Sequence, residues 1–282
     1  MATVRCVRRV GAEYISLTLE ASDEPEKPIP IINRVSEPKN EIGVCMGQVY
    51  GAGSRSMDIT EFIEHHQLIG ASYFYLTIFN GDDATIRVIH DYERLGLLDT
   101  LWIHLKFDKQ SLFHLIQVAD CFYRSRMHSR WTINIDHDER LIMKNPQSLS
   151  KLLKTLPDSV VGLSFPVARI QVNDDVLPQN VTYFETYKKT SRPLWHNLKS
   201  IYKHQYSHIS FYHWSWRTDP GYRIITLNST VGYFRHYRYT SNSYADGEWQ
   251  DFYKPFEENK LNPVFADVLK SRIASRLKYA LS

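Results

Sequence analysis

The chain has 282 residues, 43% of them hydrophobic and 23% charged, a balance that excludes an intrinsically disordered protein. Its formal net charge of +3 is too small to indicate a nucleic-acid partner. Aromatic side chains are frequent (18 Tyr, 13 Phe and 6 Trp), and they stack on sugar rings and nucleobases as well as filling cores.

In chain order, residues 1–40 contain a short β-like run followed by a charged, proline-rich linker. From residue 42, strands alternate with helices. The predicted strands cover 44–50, 72–79, 98–105, 131–135 and 160–165, and the predicted helices cover 58–69, 84–95, 112–123 and 149–156. Asp58 and Glu61 form a predicted capping box for the first helix. This alternation predicts an α/β fold with a mostly parallel sheet flanked by helices.

Beyond residue 166 the pattern is less regular. Residues 209–216 are aromatic and β-like, 230–239 read as an aromatic strand or turn, and a terminal helix begins at 262–263. The predicted organisation is an N-terminal strand and stem-like linker (1–40), one main domain (41–240) and a C-terminal segment whose helix packs on that domain (241–282).

The segment WTINIDHDER, residues 131–140, leads from an apolar strand into a cluster of carboxylates. Trp131, Ile133 and Ile135 alternate onto one face, and Asp-His-Asp-Glu follows at 136–139, where the strand should end. Clustered carboxylates attract a cation, and hard oxygen ligands suit Mg²⁺ or Mn²⁺, which would hold a diphosphate. The competing interpretation is a solvated acidic turn. Because ligands bind beyond the carboxyl ends of parallel strands, the position favours a metal site.

Several other side chains are candidates for the same site. His236 is the candidate for a further metal ligand, since imidazole suits Mn²⁺ better than Mg²⁺, and Arg235 and Arg238 are candidates for phosphate contacts. The alternative is a core-edge histidine between two solvated arginines. Arg55, in the loop GAGSR at 51–55, is a candidate diphosphate or acceptor contact or else a surface arginine.

A general base is harder to identify. If a sugar is transferred with inversion, a carboxylate has to take the proton from the attacking hydroxyl group. Glu185 and Asp219 are the candidates outside the acidic cluster, and nothing in the sequence separates them from structural acids. The run His-Trp-Ser-Trp at 213–216 is a candidate sugar-stacking surface or simply core.

Cysteine usage and targeting signals disagree about the compartment. Three cysteines without a C-x-x-C pair exclude zinc ribbons and allow at most one internal disulfide, for which Cys45 and Cys121 are the pair to test. N-glycosylation triplets at Asn180 and Asn228 favour the secretory lumen. Against this, no apolar run has the length of a membrane helix, and residues 1–10 lack a signal-peptide core.

A series of short segments occurs in a characteristic order between residues 41 and 240. The segments are Val44-Cys45, 61–65, 68–75, Asp91-Tyr92, Gly96, Asp120-Cys121, 135–139, 199–202, His213-Trp214 and 235–238. Together they resemble glycosyltransferase family 92, particularly its large nematode branch.

This resemblance implies a single glycosyltransferase A-type domain that transfers a hexose, galactose in characterised relatives, from a UDP-sugar. By position, Asp136 and Asp138 would be the D-x-D metal ligands and His236 the late ligand, with Mn²⁺ (or Mg²⁺) as the cofactor. The resemblance further implies inverting β-galactosyl transfer to a glycan or glycoprotein acceptor. It also implies Golgi residence and an N-terminal membrane anchor, and this sequence shows no such anchor.

Two other function classes stay open. One is a catalytically inactive family member that binds a nucleotide-sugar or a glycan without turnover. The other is a metal-dependent nucleotidyltransferase or phosphoesterase, which would use the same acidic cluster but would need more carboxylates on neighbouring strands than the sequence offers.

Overall fold

The computed structural model describes residues 7, 9–20, 22–25, 27–32, 37–51, 53–104, 114–145, 148–172, 181–210, 213, 215–239 and 253–281. The chain divides into two compact units, residues 1–37 and 38–282. In the first unit, β1 (Tyr14–Ile15) pairs antiparallel with β2 (Ile29–Pro30). No helix of the described residues combines the length and apolarity that a membrane span requires.

The second unit contains the other strands and all the described helices. Its strands are β3 (Asn40–Val49), β4 (Tyr73–Ile78), β5 (Leu98–Trp102), β6 (Ser129–Ile135), β7 (Glu139–Met143), β8 (Val160–Val172), β9 (Lys189–Ser191), β10 (Leu194–Tyr202), β11 (Ser207–Ser210), β12 (Ser215–Thr218), β13 (Arg223–Thr226), β14 (Gly232–Tyr239) and β15 (Phe256–Glu258). Its helices are α1 (Ser56–Leu68), α2 (Asp83–Arg94), α3 (His114–Ser125), α4 (Ser148–Thr155), α5 (Tyr183–Thr186) and α6 (Pro263–Leu281), with a 3₁₀ turn at His204–Tyr206.

In the described part of the chain, nine strands form one mixed sheet in the order β5-β4-β3-β6-β10-β8-β14-β7, and β13 also pairs with β8. The pairs β3–β4, β3–β6, β4–β5, β8–β13 and β8–β14 are parallel. The pairs β6–β10, β8–β10 and β7–β14 are antiparallel. Parallel pairs therefore predominate, which confirms the predicted α/β fold with a mostly parallel sheet flanked by helices.

The sheet curls back on itself next to the acidic cluster. Only residues 136–138 separate β6 from β7 in the chain, yet β10, β8 and β14 lie between these two strands in the sheet. β3 and β6 are parallel neighbours, with Met46 opposite Ile135, so their carboxyl ends meet at one edge. On β14, His236 lies opposite Glu139 of β7. Three distant parts of the chain thus meet around residues 136–138.

Helices cover both faces of the sheet. Trp131, Ile133 and Ile135 of β6 are at most 1% exposed and belong to the main core, as the alternation predicts. The opposite face is buried as well, because α3 packs there, and a disulfide joins Cys45 of β3 to Cys121 of α3 with a Cα–Cα distance of 5.8 Å. The pairing suggested for these two cysteines is confirmed.

The predicted capping box of α1 is wrong. The helix begins at Ser56, with Arg55 as its N-cap residue and no side-chain cap, so Asp58 lies inside the first turn. Arg55 Nη1 donates to Asp58 Oδ2 at 3.2 Å, and the Tyr183 backbone N–H donates to Glu61 Oε2 at 2.7 Å. Both acids are buried. Asp58 is held by the neighbouring Arg55 and Glu61 by a tertiary contact with Tyr183, so neither carboxylate caps the helix.

Candidate active site

A cleft of about 170 Å³ lies at the carboxyl ends of β3 and β6. Its lining residues come from β3, the start of α3, the β6–β7 turn and β14; they are Gly47, Gln48, Tyr50, His114, Asp136, His137, Asp138, His236 and Arg238. The structure therefore brings together the three predicted metal ligands and one of the three predicted donor-binding arginines. This location agrees with the rule that ligands bind beyond the carboxyl ends of parallel strands.

The acidic turn, defined here as residues 136–139, is held by its backbone. The Glu139 N–H donates to the carbonyl oxygen of residue 136 at 3.1 Å, and the Tyr237 N–H donates to the carbonyl oxygen of residue 138 at 2.9 Å. From below, Arg140 Nη1 donates to the His137 carbonyl at 2.6 Å. Arg140 is 1% exposed and also lies 3.5 Å from the Glu61 carboxylate, so a buried ion pair anchors the turn to α1.

Gly47 allows β3 to approach this turn closely. A Cβ atom at Gly47 would lie 2.8 Å from the Asp136 Cα and 3.1 Å from Asp136 Oδ1. Because backbone atoms cannot move aside as a flexible side chain does, any larger residue at this position would displace the acidic turn.

If the cleft binds the cation and diphosphate that the sequence predicts, Gly47→Ala is expected to weaken that binding by about tenfold, with a loss of stability of about 1–3 kcal/mol. Isothermal titration calorimetry and urea unfolding would measure the two effects. The control is Gly96→Ala, where a new Cβ would meet nothing within 4 Å but the φ of +69° costs about 1 kcal/mol. Similar loss of binding in both variants would contradict this role for Gly47.

Asp136 is fully engaged by protein cations and donors. Lys199 Nζ lies 2.8 Å from its Oδ2, and His114 Nε2 lies 3.0 Å from its Oδ1. The same ammonium group is 3.0 Å from Glu139 Oε2. Burial raises the pKa of Asp136, but Lys199 and His114 together outweigh burial and hold this pKa well below its usual range.

Asp138 has one oxygen paired and one free. Its Oδ2 lies 3.2 Å from His236 Nε2, whereas its Oδ1 is buried and has no hydrogen-bond partner among the described residues. Burial raises the pKa of Asp138, but His236 and His137 together outweigh burial and leave this pKa well below the usual range. The other imidazole nitrogen of His236 contacts Arg169 and lies 3.0 Å from Glu139 Oε1. Burial lowers the pKa of His236, but Asp138 and Glu139 together outweigh burial and raise this pKa.

The donor atoms of Asp138 and His236 fit a divalent cation. Their 3.2 Å separation is close to the distance of about 3 Å between neighbouring ligands of an octahedral ion, and Asp138 Oδ1 has no competing partner. Among the described residues, no group of three or more His, Cys, Asp or Glu side chains is arranged to hold a metal. Asp136 differs from the other two because both of its oxygens already have partners.

The predicted arginines occupy three different environments. Arg238 is exposed and lines the cleft on the same face of β14 as His236. Arg235 lies on the opposite face, is 1% exposed and donates to the Asn259 carbonyl oxygen. Arg55 is buried against Asp58 and does not line the cleft. Successive strand residues point to opposite faces, which separates Arg235 from the other two residues of β14.

The two candidate bases lie outside the cleft lining. Glu185, on α5, accepts a hydrogen bond from Lys270 at 2.6 Å, which lowers the pKa of the carboxyl group, and another from Thr182 at 2.7 Å. Asp219 lies 2.5 Å from His208 Nε2. Both carboxylates are more than a third exposed and are held by surface partners.

The remaining sequence candidates are the two glycosylation asparagines and the aromatic run. Asn228 lies on an exposed turn after β13, where its Oδ1 accepts the Thr230 N–H at 2.9 Å. Asn180 lies outside the described residues, as does Trp214 of the aromatic run. The backbone carbonyl of His213 accepts a hydrogen bond from Ser200 Oγ at 2.6 Å, next to the strand that carries Lys199.

The site also has a cationic half that was not predicted. Lys199, Arg140 and Arg169 are all at most 9% exposed, and His114 lines the cleft at the start of α3. One sequence signal could have identified the three cations. Each is a charged residue within a strand of mostly apolar residues. Such a charge requires a partner of opposite sign close by.

Glu61, beneath the acidic turn, makes stability depend on pH. Burial raises the pKa of this carboxyl group from 4.5 to about 7. Because the folded state then binds the proton more tightly than the unfolded state, stability falls as pH rises from about 4.5 to about 7. The difference corresponds to about 3 kcal/mol.

Glu61→Gln should flatten this pH dependence. Urea unfolding at pH 5 and pH 8 is expected to show that the wild type loses up to about 3 kcal/mol more than the variant. Glu41→Gln, at a partly exposed carboxylate on β3 that pairs with Arg130, is the control and should follow the wild type. Parallel curves for wild type and Glu61→Gln would contradict the assignment.

The fold and the cleft define an α/β protein with a polar ligand site at the edge of a parallel sheet. Residues 40–274 match the model of glycosyltransferase family 92, and the chain belongs to this family. No curated protein matches the sequence. The branch of the family stays a prediction.

Several solved structures share similarity with the chain. The mannosyltransferase PcManGT from Pyrobaculum calidifontis, in complex with GDP-Man and Mn²⁺, is 11% identical, with a TM-score of 0.41 over 88% of this chain and 75% of that one. S. aureus TarS 1-349 is 10% identical, with a TM-score of 0.39 over 70% of this chain. The chain spans only 60% of the length of that TarS structure. HddC from Yersinia pseudotuberculosis is 11% identical, with a TM-score of 0.33 over 70% of this chain and 93% of that one.

Proposed function

We propose that this protein is a metal-dependent, inverting glycosyltransferase that transfers a hexose, galactose from UDP-galactose, to a glycan or glycoprotein acceptor. The observation that carries the proposal is the convergence of Asp136, Asp138, His236 and Arg238 on one cleft, in a chain that belongs to glycosyltransferase family 92.

Different cleft residues would bind the cation and the diphosphate of the donor. Asp138 and His236 would hold Mn²⁺ or Mg²⁺, and Asp136 would join them only by giving up Lys199 or His114. The bound cation supplies Lewis-acid neutralisation of the charge on the departing UDP. Arg238 presents a guanidinium group to the diphosphate oxygens at the exposed rim. Tyr50 offers an aromatic ring in the same lining.

The acceptor hydroxyl has to lose a proton during inverting transfer. Glu185 and Asp219 remain the proposed bases, and each would have to leave its present partner, Lys270 or His208, to act. Glu185→Gln and Asp219→Asn test them directly, because only the true base should lower the transfer rate without changing the affinity for UDP.

The proposed location is the Golgi lumen, with the membrane anchor typical of the family. Two features support an oxidising, glycosylating compartment: the disulfide between Cys45 and Cys121 and the exposed acceptor triplet at Asn228. The triplet at Asn180 is a second proposed glycosylation site.

A donor screen tests the proposed function. The protein is incubated with UDP-galactose, UDP-glucose, UDP-GlcNAc or GDP-mannose and a fucosylated N-glycan, in Mn²⁺, Mg²⁺ or EDTA. We expect transfer from UDP-galactose in Mn²⁺, less in Mg²⁺ and none in EDTA. Transfer in EDTA would contradict the proposed metal dependence. Transfer from another donor alone would contradict galactose as the transferred sugar.

One observation favours a second candidate, a family member that binds a nucleotide-sugar or glycan without turnover. The described cleft lining contains no carboxylate besides Asp136 and Asp138, so it offers no separate base. Tight binding of UDP to the protein in Mn²⁺, with no transfer from any donor in the screen, would support this candidate over the enzyme.

A further inference from the structure

Lys199 provides a positive charge inside the acidic turn. Its side chain is 2% exposed, and its ammonium group bridges Asp136 Oδ2 at 2.8 Å and Glu139 Oε2 at 3.0 Å. The residue lies on β10, which is antiparallel to both β6 and β8, so its position is fixed by two strands. It is not part of the cleft lining, and therefore it meets the carboxylates from the protein side.

The turn needs this charge. Asp136, Asp138 and Glu139 fall within four residues, and Glu139 is fully buried. Buried carboxylates without counter-charges are strongly unfavourable. The Lys199 ammonium pairs with the first and last of the three, whose other oxygens lie near His114 and His236. The middle one, Asp138, keeps a buried oxygen without a partner among the described residues.

We propose that Lys199 is a positioning residue that acts as an internal counter-ion. It holds the acidic turn in its binding conformation without a metal, and it keeps Asp136 out of the metal's coordination, so that cation binding is confined to Asp138 and His236. The identity of the cation rests on the proposed function above.

Removing the ammonium group should change stability and metal affinity in opposite directions. Lys199→Met frees Asp136 Oδ2, while Oδ1 keeps its contact with His114. The metal-free protein should lose stability, because two carboxylates lose the ammonium group that they share. The divalent cation should bind more tightly, since it gains a ligand and loses a repelling charge. A merely structural lysine would lower both quantities.

The experiment measures Mn²⁺ affinity by electron paramagnetic resonance of free Mn²⁺ and the melting temperature in EDTA. For Lys199→Met we expect a Kd for Mn²⁺ about tenfold or more below that of the wild type and a melting temperature lower by several degrees. Lys203→Met is the control: Lys203 follows the same strand and lies over the Trp131 ring, 4.8 Å from its centroid. It should leave the Mn²⁺ affinity unchanged.

A second variant covers the case in which Lys199→Met does not fold. Lys199→Met with Glu139→Gln removes one charge of each sign and again frees Asp136 Oδ2, so it should also bind Mn²⁺ more tightly than the wild type. Unchanged or weaker Mn²⁺ binding in the folded variants would overturn the role of Lys199, whatever the wild type does. If the variants bind Mn²⁺ tightly and the wild type does not bind it, the result would support the role of Lys199. The same result would contradict the metal dependence in the proposed function.

Discussion

Asp138→Asn is expected to lower the proposed Mn²⁺-dependent sugar transfer by about 10²- to 10³-fold, which is the loss of several kcal/mol of charge stabilisation in the transition state. Asn has the shape of Asp without its charge, and Asp138 Oδ1 is a buried oxygen with no partner among the described residues. The fold should survive, because the backbone carbonyl of this residue, which accepts the Tyr237 N–H, is unchanged.

Initial rates with UDP-galactose and titration with Mn²⁺ measure this effect. Both the rate and the Mn²⁺ affinity should fall in Asp138→Asn. The matched control is Asp99→Asn on β5, a partly exposed carboxylate outside the cleft lining, which should keep both. If Asp138→Asn binds Mn²⁺ as tightly as the wild type, Asp138 is not a ligand and the cation site lies elsewhere.

The position of the acidic turn was predictable because its signals are local. An apolar run that ends in carboxylates marks a strand end, and the alternation of strands with helices places that end beside the end of a parallel neighbour. β3 and β6 are such neighbours, so Asp136 faces Gly47 across the sheet edge. The mostly parallel sheet follows from the same local patterns.

The partners of the turn were not predictable because they come from distant strands. Lys199 and Asp136 are separated by 63 residues in sequence, and no local pattern reports which buried lysine meets which carboxylate. The order of β10, β8 and β14 between β6 and β7 decides this contact, and it comes from packing of the whole sheet. The capping box failed for a related reason, since Tyr183 donates to both acids from a distant part of the chain, through its backbone N–H to Glu61 and its hydroxyl to Asp58.

One distinction was available from the sequence. Within β14, strand alternation places Arg238 on the face of His236 and Arg235 on the other face. The structure shows this arrangement, with Arg238 at the cleft and Arg235 buried. Residues 230–239 were predicted as a strand or a turn. Had the strand been chosen, its alternation of faces would have shown that the two arginines are not equivalent phosphate contacts.

The second large effect concerns how α6 is attached to α1. Glu64 on α1 is 2% exposed and accepts from Arg272 Nε at 2.6 Å and from the Tyr92 hydroxyl at 2.8 Å, with Arg276 Nε at 3.5 Å. Glu64→Ala removes the acceptor for all three groups. We expect a loss of about 2 to 3 kcal/mol of unfolding free energy, because the buried Tyr92 hydroxyl loses its acceptor and the partly exposed Arg272 and Arg276 each lose one acceptor.

Urea unfolding gives the free energy, and hydrogen exchange along α6 shows where the stability is lost. Glu93→Ala on α2, which removes a largely surface pair with His90, is the control and should cost less than about 1 kcal/mol. Glu64→Gln keeps an acceptor for Tyr92 and should fall between the two. If Glu64→Ala costs no more than Glu93→Ala, the arginines find other partners, and α6 is held by its apolar contacts through Leu269 and Ile273 instead.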